Sequence, residues 1–290
     1  MSRGHFTDYD EATTARCERA LVTLLGDLGP WRERIYLVGG LAPRYLVGEL
    51  PAGARAHVGT TDVDLVVGLA LGEETPETYR TLQDNLEKSH FDPRSPGFRW
   101  ARDVDGVKVI VEFLCETEAV PAGLVFRPKA GSTGSRVGAF NVRGANLVGY
   151  DFVERMLEGE RLDGGGRSKV AVRVANLLPY TVLKILAFQD RHENKDAYDL
   201  VFCLLHFGDG PEAAGGEAAR STVAHDPRVT DALALLAERF HDVEQDGPTA
   251  YAAFLAEPGD DDDDAARLRR EAVATVRAFL DAFHAALGEG

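Results

Sequence analysis

Acidic side chains interrupt two short apolar segments of the sequence. Asp62 and Asp64 lie in DVDLV at 62–66, and Glu112 lies in VIVEF at 109–113. Alternation along a β-strand places Asp62 and Asp64 on one face of a sheet. Three carboxylates on one face repel one another and are costly to bury, and a divalent cation offsets both costs. Because Mg²⁺ combines carboxylates with substrate phosphates, the pattern predicts a magnesium site at Asp62, Asp64 and Glu112.

A pair of glycines, Gly39 and Gly40, follows the apolar segment 35–38 and precedes a predicted helix. Glycines at such a position let the backbone approach a phosphate and direct N–H groups at it. The chemistry indicated is in-line attack of an acceptor hydroxyl on an α-phosphate, with two metal ions stabilising the attacking and leaving oxygens. Glu112 would help to deprotonate the acceptor. A lone GG or DxD is usually a turn, so the prediction depends on their combination with Glu112.

A second group of charges lies on two predicted helices farther along the chain. Lys184 and Arg191 are seven residues apart, hence on one helical face, where both could contact a triphosphate. Asp199 could point back and orient Lys184. The alternatives are a surface position for Lys184 and an N-cap role for Asp196 at the start of the next helix.

Hydrophobic periodicity predicts an α+β chain with a small mixed sheet followed by helices. The predicted domains are 1–175, the catalytic core, and 176–290, a helical domain that contributes Lys184 and Asp199. A loop is predicted for the Gly-rich residues 208–222. The predicted strands are 35–38, 63–67, 98–103, 107–113, 147–157 and 170–174, and the predicted helices are 7–28, 41–50, 75–89, 180–191, 196–207, 227–241, 248–255 and 265–287.

The order hGG…DxD…h[DE]h, with h apolar, resembles the nucleotidyltransferase superfamily built on the DNA polymerase β-like fold. The segment LLPYTVLKILAFQDR followed by KDAYDL resembles the AbiEii/AbiGii-type nucleotidyltransferase toxins, which include the MenT enzymes. Together the motifs extend the resemblance over roughly residues 20–205. The chain departs from the commonest pattern in having Glu112 where Asp is frequent, and GG where many members have GS.

This resemblance implies a polymerase β-like core, catalytic roles for Lys184 and Asp199, an NTP substrate and Mg²⁺. It further implies an acceptor at the tRNA 3′ end or on a protein, and a cognate antitoxin as partner. The same fold also serves antibiotic nucleotidyltransferases, so a small-molecule acceptor of the aminoglycoside type is an alternative. A catalytically silent interaction protein of this fold is a third hypothesis, against which the complete set of acids and Lys184 counts.

Composition places the chain of 290 residues, with a net charge of −15, among ordinary globular proteins. Residues 207–290 carry 18 acids and 7 bases, hence −11 of that charge, so the remainder could still present a locally basic surface to nucleic acid. No apolar segment approaches the roughly 18 residues that span a bilayer, and the N-terminus lacks a signal-peptide pattern. The sequence therefore predicts a cytoplasmic protein without membrane contact. Its three widely spaced cysteines are predicted to be reduced and buried.

Overall fold

The structure, a computed structural model, describes residues 4–67, 80–129, 131, 133–257, 259 and 261–288. The helices of this part are α1 Glu11–Asp27, α2 Pro43–Leu46, α3 Leu82–Lys88, α4 Leu177–Arg191, α5 Asn194–His206, α6 Pro211–Ala218, α7 Pro227–Arg239, α8 Asp246–Leu255 and α9 Asp262–Leu287. The strands are β1 Tyr36–Val38, β2 Asp62–Val66, β3 Asp92–Arg94, β4 Arg99–Val104, β5 Val107–Cys115, β6 Val125–Phe126, β7 Ala139–Asn141, β8 Phe152–Glu160 and β9 Arg167–Ala175.

The chain divides into two compact units. The sheet unit comprises the described residues of Asp10–Ala42 and Gly59–Ala175, and the helical unit those of Met1–Tyr9, Pro43–Val58 and Asn176–Gly290. A break thus falls between residues 175 and 176, and two earlier segments belong to the helical unit.

The sheet unit contains a mixed sheet with the strand order β3-β4-β5-β2-β1-β9-β8. Strands β2 and β5 are parallel neighbours, as are β1 and β9, whereas β1–β2, β4–β5 and β8–β9 are antiparallel. β7 pairs with β5 at its carboxyl end and also with β6. This mixed sheet followed by helices confirms the predicted fold class.

Alternation along the central strands separates a buried face from a half-exposed one. On β5, Val109, Val111 and Phe113 are buried, whereas the residues between them are partly exposed. The amphipathic helix α1 packs against β5, β8 and β9. Its buried leucines supply apolar area that stabilises the unit by roughly 1.5–3 kcal/mol per side chain.

The helical unit is built mainly from α4 to α9. Helix α9 is the longest, and it begins at an Asp261 N-cap whose side chain accepts from the backbone N–H groups of Asp263 and Asp264. The acidic residues at 261–264 therefore begin a helix, where negative charge interacts favourably with the helix dipole.

Four predicted elements differ from the structure. The predicted loop at 208–222 contains α6, because Gly215 lets this helix approach α9 closely: a Cβ there would lie 2.3 Å from the Phe279 carbonyl oxygen. The strand predicted from residue 147 begins at Phe152, since Ala145–Gly149 form a 3-10 turn after Gly144 with φ 83°. The helix predicted from Thr75 lies partly outside the described residues. Its described part begins at Leu82, after the N-cap Thr81.

The predicted helix at 41–50 is also shorter than expected. Gly39–Leu41 form a 3-10 turn, and α2 is a single turn of four residues. In the part of the chain that the structure describes, no helix is long and apolar enough to cross a membrane.

Candidate active site

The three predicted carboxylates lie on one face of two neighbouring strands. Asp64 on β2 is the register partner of Glu112 on β5, and Asp62 is the partner of Ile110. Register partners on adjacent strands point to the same side of a sheet, so Asp62, Asp64 and Glu112 share the half-exposed face. Val38 on β1 pairs with Asp64 from the other side, and this brings the glycine turn to the same position.

Hydrogen bonds from neighbouring residues hold the carboxylates of Asp62 and Glu112. The Thr60 hydroxyl donates to Asp62 Oδ1 at 2.8 Å, and Arg99 Nε on β4 donates to Glu112 Oε1 at 2.6 Å. Among the described residues, no three His, Cys, Asp or Glu side chains are gathered closely enough to hold a metal ion. Arg99 was not predicted, although its place on the strand next to Glu112 could have been inferred from the tight turn at Asp105-Gly106.

The donor set nevertheless suits magnesium by its chemistry. All three groups are carboxylates on one partly exposed sheet face, and hard oxygen ligands are those that Mg²⁺ prefers.

Gly39 lies directly against the Asp64 carboxylate. Its φ is +67°, and a Cβ at this position would lie 1.8 Å from Asp64 Oδ2 and 2.6 Å from its Cγ. No residue with a side chain fits without moving Asp64. Gly40 follows as a buried residue of the 3-10 turn. The sequence predicted a phosphate-binding role for the glycines, and the structure adds that Gly39 leaves room for the Asp64 carboxylate.

We expect Gly39→Ala to displace Asp64 and to lose far more function than its backbone strain alone explains. The positive φ costs roughly 1–3 kcal/mol in either of two variants, Gly39→Ala or the control Gly29→Ala. Gly29 has φ +57° with nothing within 4 Å of a Cβ, so this control carries the strain without the clash. Urea unfolding and a nucleotide-transfer assay compare the two. Equal activity of both variants would contradict the prediction.

The second predicted group assembles inside the helical unit. Lys184 on α4 is only 6% exposed, and its Nζ donates to Asp199 Oδ2 at 2.7 Å and to Asp196 Oδ1 at 3.2 Å. The predicted contact between Asp199 and Lys184 is thus present, and Lys184 is not a surface lysine. Burial acts to lower the pKa of Lys184, but the carboxylates of Asp199 and Asp196 reverse this effect, and the pKa is raised.

Asp199 is surrounded by donors on both of its oxygens. Oδ1 accepts from His57 Nε2 at 2.8 Å and from Lys195 Nζ at 2.7 Å, whereas Oδ2 accepts from Lys184 and from Lys195 at 2.9 Å. Burial alone would raise the pKa of Asp199, yet the two lysines and His57 lower it far below its usual range. A carboxylate so stabilised in its charged form is an anchor for cations and a poor proton acceptor.

Asp196 does not cap its helix. The N-cap of α5 is Glu193, and Asp196 lies in the first turn with its side chain 1% exposed. Arg191 binds it through two bonds, Nε to Oδ2 at 2.7 Å and Nη2 to Oδ1 at 2.8 Å. The N-cap interpretation is therefore wrong. The predicted phosphate contact of Arg191 stays a prediction, and the Arg191 side chain is 60% exposed.

Two members of this group, His57 and Lys195, were not found from the sequence. His57 lies in the segment between α2 and β2, and nothing in its local pattern marks it. Lys195 stands four residues before Asp199 on one helix, a spacing that could have identified it. Burial lowers the pKa of His57 to about 4, with a smaller opposing effect from Asp199 and further lowering by Lys195 and Lys184. His57 is therefore neutral at pH 7 and donates through Nε2.

His57 makes the free energy of unfolding depend on pH. Its pKa is about 4 in the folded chain and about 6.5 when unfolded, so the unfolded state takes up the proton first as the pH falls. Stability should decline from about pH 6.5 towards pH 4, by up to roughly 3 kcal/mol from this group. Urea unfolding of wild type and His57→Gln at pH 7.5 and 5 measures the difference. A Gln variant with the same pH dependence as wild type would refute the assignment.

The cysteines match their prediction. Cys17, Cys115 and Cys203 are free and buried, and burial raises the pKa of the Cys17 and Cys115 thiols to about 12. Thiols held in the protonated form are poor nucleophiles, so none of them carries the chemistry.

A mixed sheet with carboxylates on adjacent strands beside a diglycine turn, followed by helices, is a nucleotidyltransferase fold. Residues 23–285 match the model of the family described as nucleotidyl transferase AbiEii toxin of a Type IV toxin–antitoxin system. The chain belongs to the AbiEii nucleotidyltransferase toxin family. The match extends well past residue 205, which is the last residue covered by the resemblance that the motifs show. No curated protein and no solved structure matches the chain significantly.

Proposed function

We propose that this chain transfers a nucleoside monophosphate from an NTP to an acceptor hydroxyl, with release of pyrophosphate. The observation that carries the proposal is the shared face of Asp62, Asp64 and Glu112 beside Gly39. Its family membership supports the same class of reaction. The proposal goes beyond the family in assigning activity to this chain and roles to its residues.

Asp62, Asp64 and Glu112 are the residues that would hold Mg²⁺. When bound, magnesium supplies positive charge to the reacting phosphate and orients it for in-line attack. Thr60 binds the Asp62 carboxylate at 2.8 Å and Arg99 binds that of Glu112 at 2.6 Å, and these bonds orient both groups. Backbone N–H groups near Gly39 and Gly40 would bind a phosphate oxygen.

Lys184 and Arg191 are the proposed triphosphate contacts of the helical unit. Lys184 retains its charge because two carboxylates face it, and Arg191 keeps an exposed guanidinium edge on Asp196. A fixed cation is more effective than a mobile one, since its orientation costs no entropy when the substrate binds. Asp199 acts by holding Lys184.

The acceptor is proposed to be the 3′ end of tRNA or a protein side chain, and a cognate antitoxin is the proposed partner. The family description of a toxin–antitoxin system supports both a cellular acceptor and a neutralising partner. It argues against the aminoglycoside alternative.

Transfer can be tested with pure protein, Mg²⁺ and each of the four α-labelled NTPs, using total tRNA and total protein as acceptors. We expect one NTP to label one acceptor class, and EDTA to abolish labelling. Expression of the chain should slow growth, whereas a drug-modifying enzyme would confer aminoglycoside resistance instead. If neither acceptor is labelled and expression has no effect on growth, the proposed function is wrong.

A further inference from the structure

His57 is held in place although its segment has no regular secondary structure. Its side chain is 2% exposed, and its ring stacks on Tyr198 at 5.2 Å between centroids and meets Phe202 edge-on at 4.9 Å. The backbone N–H of the next residue, Val58, donates to the Tyr198 hydroxyl at 3.3 Å. Packing on two sides therefore fixes the direction in which Nε2 donates.

Nε2 donates to a carboxylate that in turn determines where Lys184 lies. Asp199 Oδ1 receives His57 and Lys195, whereas Oδ2 receives Lys184 and Lys195. Without the His57 donor, Oδ1 would keep only Lys195, which also binds Oδ2, and the carboxylate could turn about its last bond. Because Lys184 is bonded to the other oxygen, any such turn would move its ammonium group.

The geometry assigns His57 as a positioning residue that fixes the Lys184 ammonium group through Asp199. This inference rests on the proposed function, because Lys184 matters for transfer only if it contacts the triphosphate. His57 itself touches no reacting atom. A misplacement of about 1 Å can cost about 10²-fold in rate, so a rigidly held Asp199 carboxylate favours transfer.

Two variants separate the donor of His57 from its ring. His57→Phe keeps an aromatic ring but cannot donate, whereas His57→Gln loses the ring and presents an amide N–H at a similar reach. We expect the Phe variant to lose about 10- to 100-fold in kcat, as supporting partners of functional groups typically do, with a smaller change in KM for the NTP. The Gln variant should keep most of the wild-type kcat.

Wild-type kcat in the Phe variant, or an equal loss in both variants, would overturn the inference. If circular dichroism shows that the Phe variant is unfolded, His57→Gln and His57→Asn are compared instead. These differ by one methylene, so Asn should fall short of Asp199 and lose activity, and equal activities would overturn the inference.

Wild type and Asp64→Asn are measured in the same labelling assay. If wild type transfers nothing, the proposed function fails and this inference fails with it. If wild type transfers label and Asp64→Asn does not, the proposed function stands, and the His57 variants alone decide the inference.

Discussion

Asp64→Asn should abolish nucleotide transfer, by about 10³-fold or more, while leaving the fold intact. Asp64 is the central carboxylate, adjacent in register to Glu112 and in contact distance of the Gly39 turn. A bound cation contributes several kcal/mol to the transition state, and each 1.36 kcal/mol is tenfold in rate. Asparagine has nearly the same shape but no charge, so the loss would come from weakened cation binding.

The same substitution should leave the chain as stable as wild type or slightly more stable. Asp64 and Glu112 are like charges on neighbouring strands, and removal of one relieves their repulsion. Functional sites often reduce stability in this way. Urea unfolding of the variant tests this point independently of activity.

Asp92→Asn is the matched control, because it makes the same change on β3 at the edge of the same sheet. It should retain wild-type transfer. If Asp64→Asn remains as active as Asp92→Asn, the carboxylate face is not the catalytic site, and the magnesium assignment has to be abandoned.

Regular periodicity explains which parts of this fold could be predicted. The strands β2 and β5 were recognisable because acids alternate with buried Val, Leu and Phe, and α4 and α5 because their apolar faces are continuous. Helix α6 was not predicted, because glycines such as those in this segment are typical of a loop. Gly215 is helical for a tertiary reason, the close approach of the Phe279 carbonyl, which no local pattern contains.

The residues of the candidate site also divide into those that a local sequence pattern marks and those that it does not. Asp62, Asp64, Glu112, Lys184 and Asp199 stand in recognisable motifs, so their identity and partial grouping could be predicted. Of the residues that hold them, Arg99 could have been inferred from a hairpin turn and Lys195 from a helical spacing, whereas His57 could not. His57 is separated from Asp199 by 142 positions, and it lies in a segment without periodicity, so only tertiary packing brings the two together.

Asp199→Ala should be the most destabilising single change in the helical unit, by about 3–5 kcal/mol. It would leave the buried Lys184 and the partly buried Lys195 without their shared carboxylate, and His57 without its acceptor. Lys184 would keep only its longer bond to Asp196, so part of its desolvation penalty would no longer be offset. Urea unfolding at pH 7 measures the loss, and Asp190→Ala, an exposed position on α4, is the control.

A double-mutant cycle with Lys184→Met distinguishes this mechanism from simple loss of packing. If the weakened pairing of the Lys184 charge is the cause, the double variant should recover about 0.5–3 kcal/mol relative to the sum of the single changes. Because the pKa of Asp199 is lowered on folding, its contribution is fully present above the unfolded value of about 3.9 and declines only below it. A cost for Asp199→Ala that is additive with that of Lys184→Met would mean that the ion pair between Lys184 and Asp199 does not stabilise the helical unit, and positioning Lys184 would be the role left to Asp199.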